Sequence, residues 1–245
     1  MKKALTIGGI VLGILLVGWL AIVIFCPGLF TYISVKHKYE HIDDRLSTFA
    51  AVQVPSDFVT YTVGSVKISV PSSYSQGSTE HILRDGDKVV MIMDFDNAEL
   101  AGLSSELLKN WGMEDEFSES DYRSYFKAVG AEYPSVYKPS ADILWYEKDV
   151  LTSKDCLKLR GRDRKVFKTL ADNKEEAYKM EDSWKLPLSG GTAYASQSRE
   201  NDLVNYAYWT ATIYPDNSGA VYYTLMIRGE SDEVTKQMLS SIELK

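Results

Sequence analysis

His37-Lys38-Tyr39-Glu40-His41 is the run in this 245-residue chain whose spacing matches a catalytic pattern. It fits the H-x-x-E-H arrangement of inverted zinc peptidases, in which two histidines hold the metal and the glutamate serves as base. On a helix His37 and His41 share one face and Glu40 stands beside them. Zinc hydrolysis also needs a third ligand, an open coordination position and a shielded cleft. The run instead lies about ten residues beyond a long apolar segment, in a polar stretch. A solvated juxtamembrane stalk is therefore the favoured reading, and no metal or other cofactor is expected.

The remaining chemistry-bearing residues are sparser. Asp94-Phe95-Asp96-Asn97 begins like a calcium loop, but Ala98 and Glu99 stand where an EF-hand needs an oxygen ligand and a glycine, so a strand end and helix cap explain it better. Lys158, Arg160, Arg162, Arg164, Lys165 and Lys168 form a basic cluster. It suits lipid phosphates or an anionic partner, or else it is a solvated helical face paired with carboxylates such as Glu175 and Glu176, and the solvated face is favoured. Tyr206, Tyr208 and Tyr214 alternate along one strand. Under helices they are structural, the favoured reading; left exposed they offer a docking surface for protein or glycan. Neither a G-x-S-x-G elbow nor a P-loop nor a dinucleotide fingerprint occurs, and Cys156 has no evident base.

The elements that must position these residues begin with an apolar run. Residues 4–26 carry no charge, and Lys2 and Lys3 precede them. At about 1.5 Å per residue the run reaches roughly 34 Å, enough for a membrane-spanning helix. Its length, and Phe25 before Cys26, argue for an uncleaved signal anchor over a signal peptide. The lysines favour a cytoplasmic start, which puts the larger part of a single-pass protein outside the cytoplasm. Beyond residue 26 the chain carries 25 basic against 34 acidic residues, which disfavours nucleic acid as a partner. The expected organisation is a flank at 1–3, the anchor at 4–26, a stalk at 27–57 and one domain at 58–245.

Within that domain, Val66, Ile68 and Val70 alternate with polar residues up to Pro71, and Asp85-Gly86 marks a tight hairpin between residues 79–83 and 88–94. Helical spacing then takes over from about 98 to 182. Leu100, Leu103, Leu107 and Trp111 recur on one face, as do Tyr122, Tyr125, Phe126 and Val129, and helices are also expected over 36–50 and 140–151. From Trp184 strands return, with a central hairpin around Pro215–Gly219 and a last helix capped by Ser231. Tight hairpins imply an antiparallel sheet packed with helices, an α+β fold.

The opening strand Val66-Lys67-Ile68-Ser69-Val70-Pro71, the late hairpin and the closing Leu239-Ser240-Ser241-Ile242-Glu243-Leu244 resemble the PsbP-like superfamily over residues 60–95 and 184–245. That resemblance implies an α/β/α sandwich and a non-enzymatic binding or assembly role in lumenal or envelope settings. The expectation is thus an anchored binding domain facing an envelope protein or wall component, with the bilayer held through residues 4–26. An accessory enzyme or zinc peptidase, or a cytoplasm-facing adaptor, is the alternative.

Overall fold

The computed structural model describes residues 14, 16–20, 24, 27–77, 79, 81–94, 117–133, 145–198, 208–216 and 222–245. The chain divides into two units. One comprises residues 1–44, 115–134 and 146–176, and the other residues 45–114, 135–145 and 177–245.

The first unit is helical. Helix α1 spans Leu29–Lys38 and α2 spans Glu119–Val129. A π-turn covers Tyr146–Val150, a 3-10 segment covers Ser153–Lys158, and α3 runs Gly161–Met180, its last turn belonging to the second unit. Helix α2 starts where Ser118 and Asp121 cap one another: Asp121 Oδ2 accepts the Ser118 N–H at 2.8 Å, and the Ser118 hydroxyl accepts the Asp121 N–H. It ends at Gly130, whose φ of 76° the missing Cβ permits. Of its expected apolar face, Tyr122, Tyr125 and Phe126 are buried as their i, i+3, i+4 spacing predicts, and Val129 at i+7 is half-buried.

Helix α1 meets the 3-10 segment at very short range. The Gly28 N–H donates to the Leu157 carbonyl at 3.0 Å, and a Cβ on Gly28 would lie 1.7 Å from the Cys156 carbonyl oxygen. Only glycine allows this approach.

The second unit holds two sheets. Strands β1 (Ser47–Thr48), β4 (Ser75–Gln76), β5 (Ile82–Asp85), β6 (Lys88–Asp94), β7 (Glu181–Leu188), β8 (Gly191–Ser198), β9 (Tyr208–Pro215) and β10 (Tyr223–Arg228) form an eight-stranded sheet in the order β1-β7-β8-β9-β10-β6-β5-β4. Strands β2 (Val59–Val63), β3 (Val66–Val70) and β11 (Glu243–Leu244) form a second sheet, with β3 between the other two. Helix α4, Asp232–Ser240, is capped by Ser231, whose hydroxyl accepts the Val234 N–H. Alternate residues of the large sheet (Val90, Ile92, Leu225, Ile227, Ala211, Ile213) join Val66, Ile68 and Val70 of β3 and Met238 and Leu239 of α4 in one buried cluster. The period of two along each strand creates that face, and each large aliphatic side chain so buried contributes about 1.5–3 kcal/mol.

Several expectations are met. Asp85 pairs with Lys88 across the two-residue Gly86-Asp87 turn, and β9 and β10 occupy the middle of the large sheet. Others are corrected. The sheet is mixed rather than antiparallel throughout, because β1 runs parallel to β7. The membrane-spanning anchor is corrected too: among the described residues no helix is long and apolar enough to cross a membrane. Of residues 4–26 only 14, 16–20 and 24 are described, as helical residues, and the rest lie outside the described set. Helix α1, which follows, has ten residues, a rise of about 15 Å or half a hydrocarbon core, and it ends in Lys36, His37 and Lys38. The single-pass and signal-anchor assignments fall with that helix.

Residues 36–50 do not continue as a helix, since Tyr39 is extended (φ −114°, ψ 124°) and Phe49 donates its N–H to Lys185 in the sheet. The helix expected over Leu100–Trp111 lies outside the described residues, as does the 140–144 part of the next.

Candidate functional site

The run from His37 to His41 is divided by the end of α1. His37 and Glu40 are exposed, and Tyr39, extended between them, breaks the helical face that was to align the two histidines. His41 Nδ1 lies 2.9 Å from Asp44 Oδ2, and its backbone N–H donates to Glu175 Oε2 at 2.9 Å. Among the described residues no group of three or more His, Cys, Asp or Glu side chains is placed to hold a metal ion. The stretch is not a free stalk. Lys36 pairs with Asp43 at 2.6 Å, Asp43 accepts the N–H and hydroxyl of Ser153, and Asp172 accepts from Lys38 (2.6 Å) and the Tyr39 hydroxyl (2.8 Å). Burial works to raise the Asp43 and Asp172 carboxyls, but these bonds outweigh it and hold both below the usual range.

The basic cluster lies at the start of α3. Arg160 donates to the Ile24 carbonyl at 3.0 Å, and Arg164 donates to the carbonyls of Pro27 (2.7 Å) and Leu159 (2.9 Å). Arg162 pairs with Asp121 at 2.6 Å, while Lys158, Lys165 and Lys168 are exposed. Glu175 accepts the His41 N–H, and the carboxylate that meets this basic face at Arg162 is Asp121.

The tyrosine positions divide as the strand period requires. Trp209, Ala211 and Ile213 point into the core, and Tyr208, Thr210, Thr212 and Tyr214 share the half-buried outer face; Tyr206 lies outside the described residues. In register with them across the sheet, one row reads Met93, Thr224, Thr212, Tyr194 and Lys185, and the next reads Met91, Met226, Thr210, Ser196 and Ser183. Four rings join over this face: Trp145 stacks on Tyr194 (centroids 4.6 Å, 15°), Tyr194 meets Tyr214 edge-on (6.0 Å), and Tyr214 stacks near Tyr222 (5.9 Å). The Lys185 ammonium lies 5.7 Å from the Tyr194 ring.

A buried polar cluster in the first unit has no counterpart among the expected site residues. Lys174 is fully buried, and its ammonium donates to the carbonyls of Asp44 (2.7 Å) and Leu151 (2.9 Å). Glu147 is buried on the π-turn, where its Oε1 accepts from Asn173 at 3.0 Å. Burial drives the Glu147 pKa up to about 8, against the pull of Asn173 and Lys148 toward ionisation. The hydroxyls of Tyr125 and Tyr146 bond one another at 2.9 Å. Cys156 is equally enclosed: burial, with Asp155 adding to it, pushes its thiol up to about 11, and its Sγ faces the Ser153 carbonyl at 3.0 Å. A protonated thiol set against a carbonyl is a poor nucleophile at neutral pH. The sequence signal for this cluster was faint: Lys174 falls at i+3, i+4 and i+7 from the apolar Ala171, Leu170 and Phe167, a charged residue on an apolar face.

No family model and no curated protein matches the chain, so neither the PsbP-like assignment nor the envelope role drawn from it has support from any relative.

Proposed function

We propose that this chain is a non-enzymatic binding protein whose docking surface for a protein partner is the outer face of the eight-stranded sheet. The observation that carries this reading is the composition and exposure of that face. Its two central rows are built from methionine, threonine, serine, tyrosine and one lysine, nearly all half-buried, whereas the opposite face packs aliphatic and aromatic side chains into the core. Tyrosine and methionine are enriched at protein interfaces, where one end of the side chain is apolar and the other can hydrogen-bond. A hydrogen-bonded sheet holds such side chains at fixed spacing, which lowers the entropy lost on docking. The Cys156 thiol faces the carbonyls of Ser153 and Gly28, and the Glu147 carboxyl accepts from Asn173, so neither is bonded to a group that would make a nucleophile–base pair.

The test is site-specific photocrosslinking in the native host, with the crosslinking residue at Thr212 or Thr224 and, as control, at Thr60 on β2. The expected result is one shared adduct from the two face positions and none from Thr60. The adduct partner, once purified, binds the wild-type chain and loses at least about tenfold in affinity to Thr212→Arg, which puts an unpartnered charge in the face. An adduct of equal yield from Thr60, or affinity unchanged by Thr212→Arg, overturns the reading.

A further inference from the structure

We infer that the start of α3, together with the outer side of α1, forms a docking surface for an anionic phospholipid bilayer, one that lies on the lipid surface and does not cross it. Between residues 158 and 168 the chain has six basic residues and one acidic residue, Asp163, within a protein of net charge −7. Screening cuts off electrostatics at about 8 Å at physiological salt, so an approaching surface meets the local positive charge, not the net negative one.

The cluster is also poorly consumed by the protein. Lys158, Lys165 and Lys168 have no ion-pair partner within bonding distance among the described residues. Arg160 is exposed and, among the described residues, donates to the Ile24 carbonyl, a single bond that leaves most of its five-donor fork for phosphate oxygens.

That bond and its neighbour give the cluster its location. Arg160 on Ile24 and Arg164 on Pro27 hold the basic residues against the chain just before α1, where large apolar side chains face outward. Trp19 is 55% exposed, Ile24 56%, Phe30 63% and Ile33 47%. Phe30 and Ile33 lie one turn apart on α1, opposite Thr31 and Val35, which point inward. Exposed aromatic and aliphatic side chains rimmed by lysine and arginine are the composition of a helix lying in the headgroup region, apolar side down and cations on phosphate. An acidic protein would satisfy the cations but not the apolar residues beside them.

The test is flotation of the full chain with two kinds of vesicle, pure phosphatidylcholine and phosphatidylcholine with one third phosphatidylglycerol, read as the ratio of the two partition coefficients. Each basic residue at an anionic surface is worth about fivefold in affinity. The variant Arg160→Gln/Lys165→Gln/Lys168→Gln is therefore expected to lower the anionic-to-neutral ratio by about tenfold or more. Its three sites are exposed, and circular dichroism checks that the fold is kept. Phe30→Ser/Ile33→Ser is expected to weaken partition into both vesicles while leaving the ratio near the wild-type value. A wild-type ratio close to one, a triple variant that keeps the wild-type ratio, or a Phe30/Ile33 variant that binds both vesicles as wild type does, overturns the proposal.

Discussion

Replacing Glu147 by glutamine should turn a pH-dependent weakness of the fold into a pH-independent one. The Glu147 carboxyl is buried on the π-turn and titrates near 8, far above the 4.5 of a solvated glutamate. Between those values the folded chain holds a proton that the unfolded chain has released. The unfolded state therefore binds fewer protons there, and stability falls as pH rises through the window. At about 1.4 kcal/mol per unit, the loss is ~3 kcal/mol by pH 7 and levels off at ~5 kcal/mol above pH 8, relative to pH 4. Glutamine keeps an amide oxygen for the Asn173 donor, now 3.0 Å from Oε1, and has nothing to ionise. Urea unfolding of wild type and Glu147→Gln at pH 5, 6, 7 and 8 reads the effect directly. The difference in stability should grow in favour of Glu147→Gln by ~1.4 kcal/mol per pH unit across the window. Asp43 and Asp172, whose carboxyls are held below the usual range, lose their contribution only in acid, outside it. A stability difference that stays constant from pH 5 to pH 8 would refute the reasoning, because it would mean that the carboxylate is already ionised in the fold.

Two further substitutions probe the same unit. Lys174→Met removes the donor shared by the buried Leu151 carbonyl and the partly buried Asp44 carbonyl, and the stranded acceptors should cost about 2–4 kcal/mol, measured as a lower urea midpoint at unchanged slope. Gly28→Ala forces a methyl to within 1.7 Å of a backbone oxygen that cannot rotate away, so α1 must shift; a loss of at least ~2 kcal/mol, with faster amide exchange at Gly28 and through α1, is the expected outcome, and a neutral effect would show that the close approach is absent in solution.

Local rules in the sequence carried much of the fold. The alternation of Val66, Ile68 and Val70, the Asp85-Gly86 turn and the Ser231 cap each depend on neighbours within a few residues, and each appears where its pattern predicts. Relations over long separations were not legible. The parallel pairing of Ser47 with Trp184 joins segments 137 residues apart, and nothing in a two-residue strand announces it. Residues 36–50 misled for the same reason. Ile42 and Phe49 are buried at a spacing of seven, which fits a helix, but their neighbourhoods are tied to distant chain: the His41 N–H to Glu175, the Asp43 carboxylate to Ser153, and the Phe49 N–H to Lys185. Hydrophobic spacing records that a residue is buried, not by what.

The same limit explains why the sheet face was half visible and the buried polar cluster was not. A strand's two faces are written in alternate residues, so the Tyr208–Tyr214 stripe could be read from β9 alone, and only its extension to Tyr194, Thr224 and Met93 needed the register of neighbouring strands. Lys174 and Glu147 have no such grammar. A buried lysine is tolerated where two carbonyls converge, and those of Asp44 and Leu151 lie 130 and 23 residues away. Such an arrangement persists only if the surrounding backbone is held firmly, since any opening would trade two protein acceptors for water at little cost. The bonds of Asp43 to Ser153, Asp172 to Lys38 and Tyr39, and Glu175 to His41 supply that restraint around Lys174. The charged residues of 36–44, which in sequence look like a hydrated stalk, are thus the clamp that makes the buried ammonium sustainable.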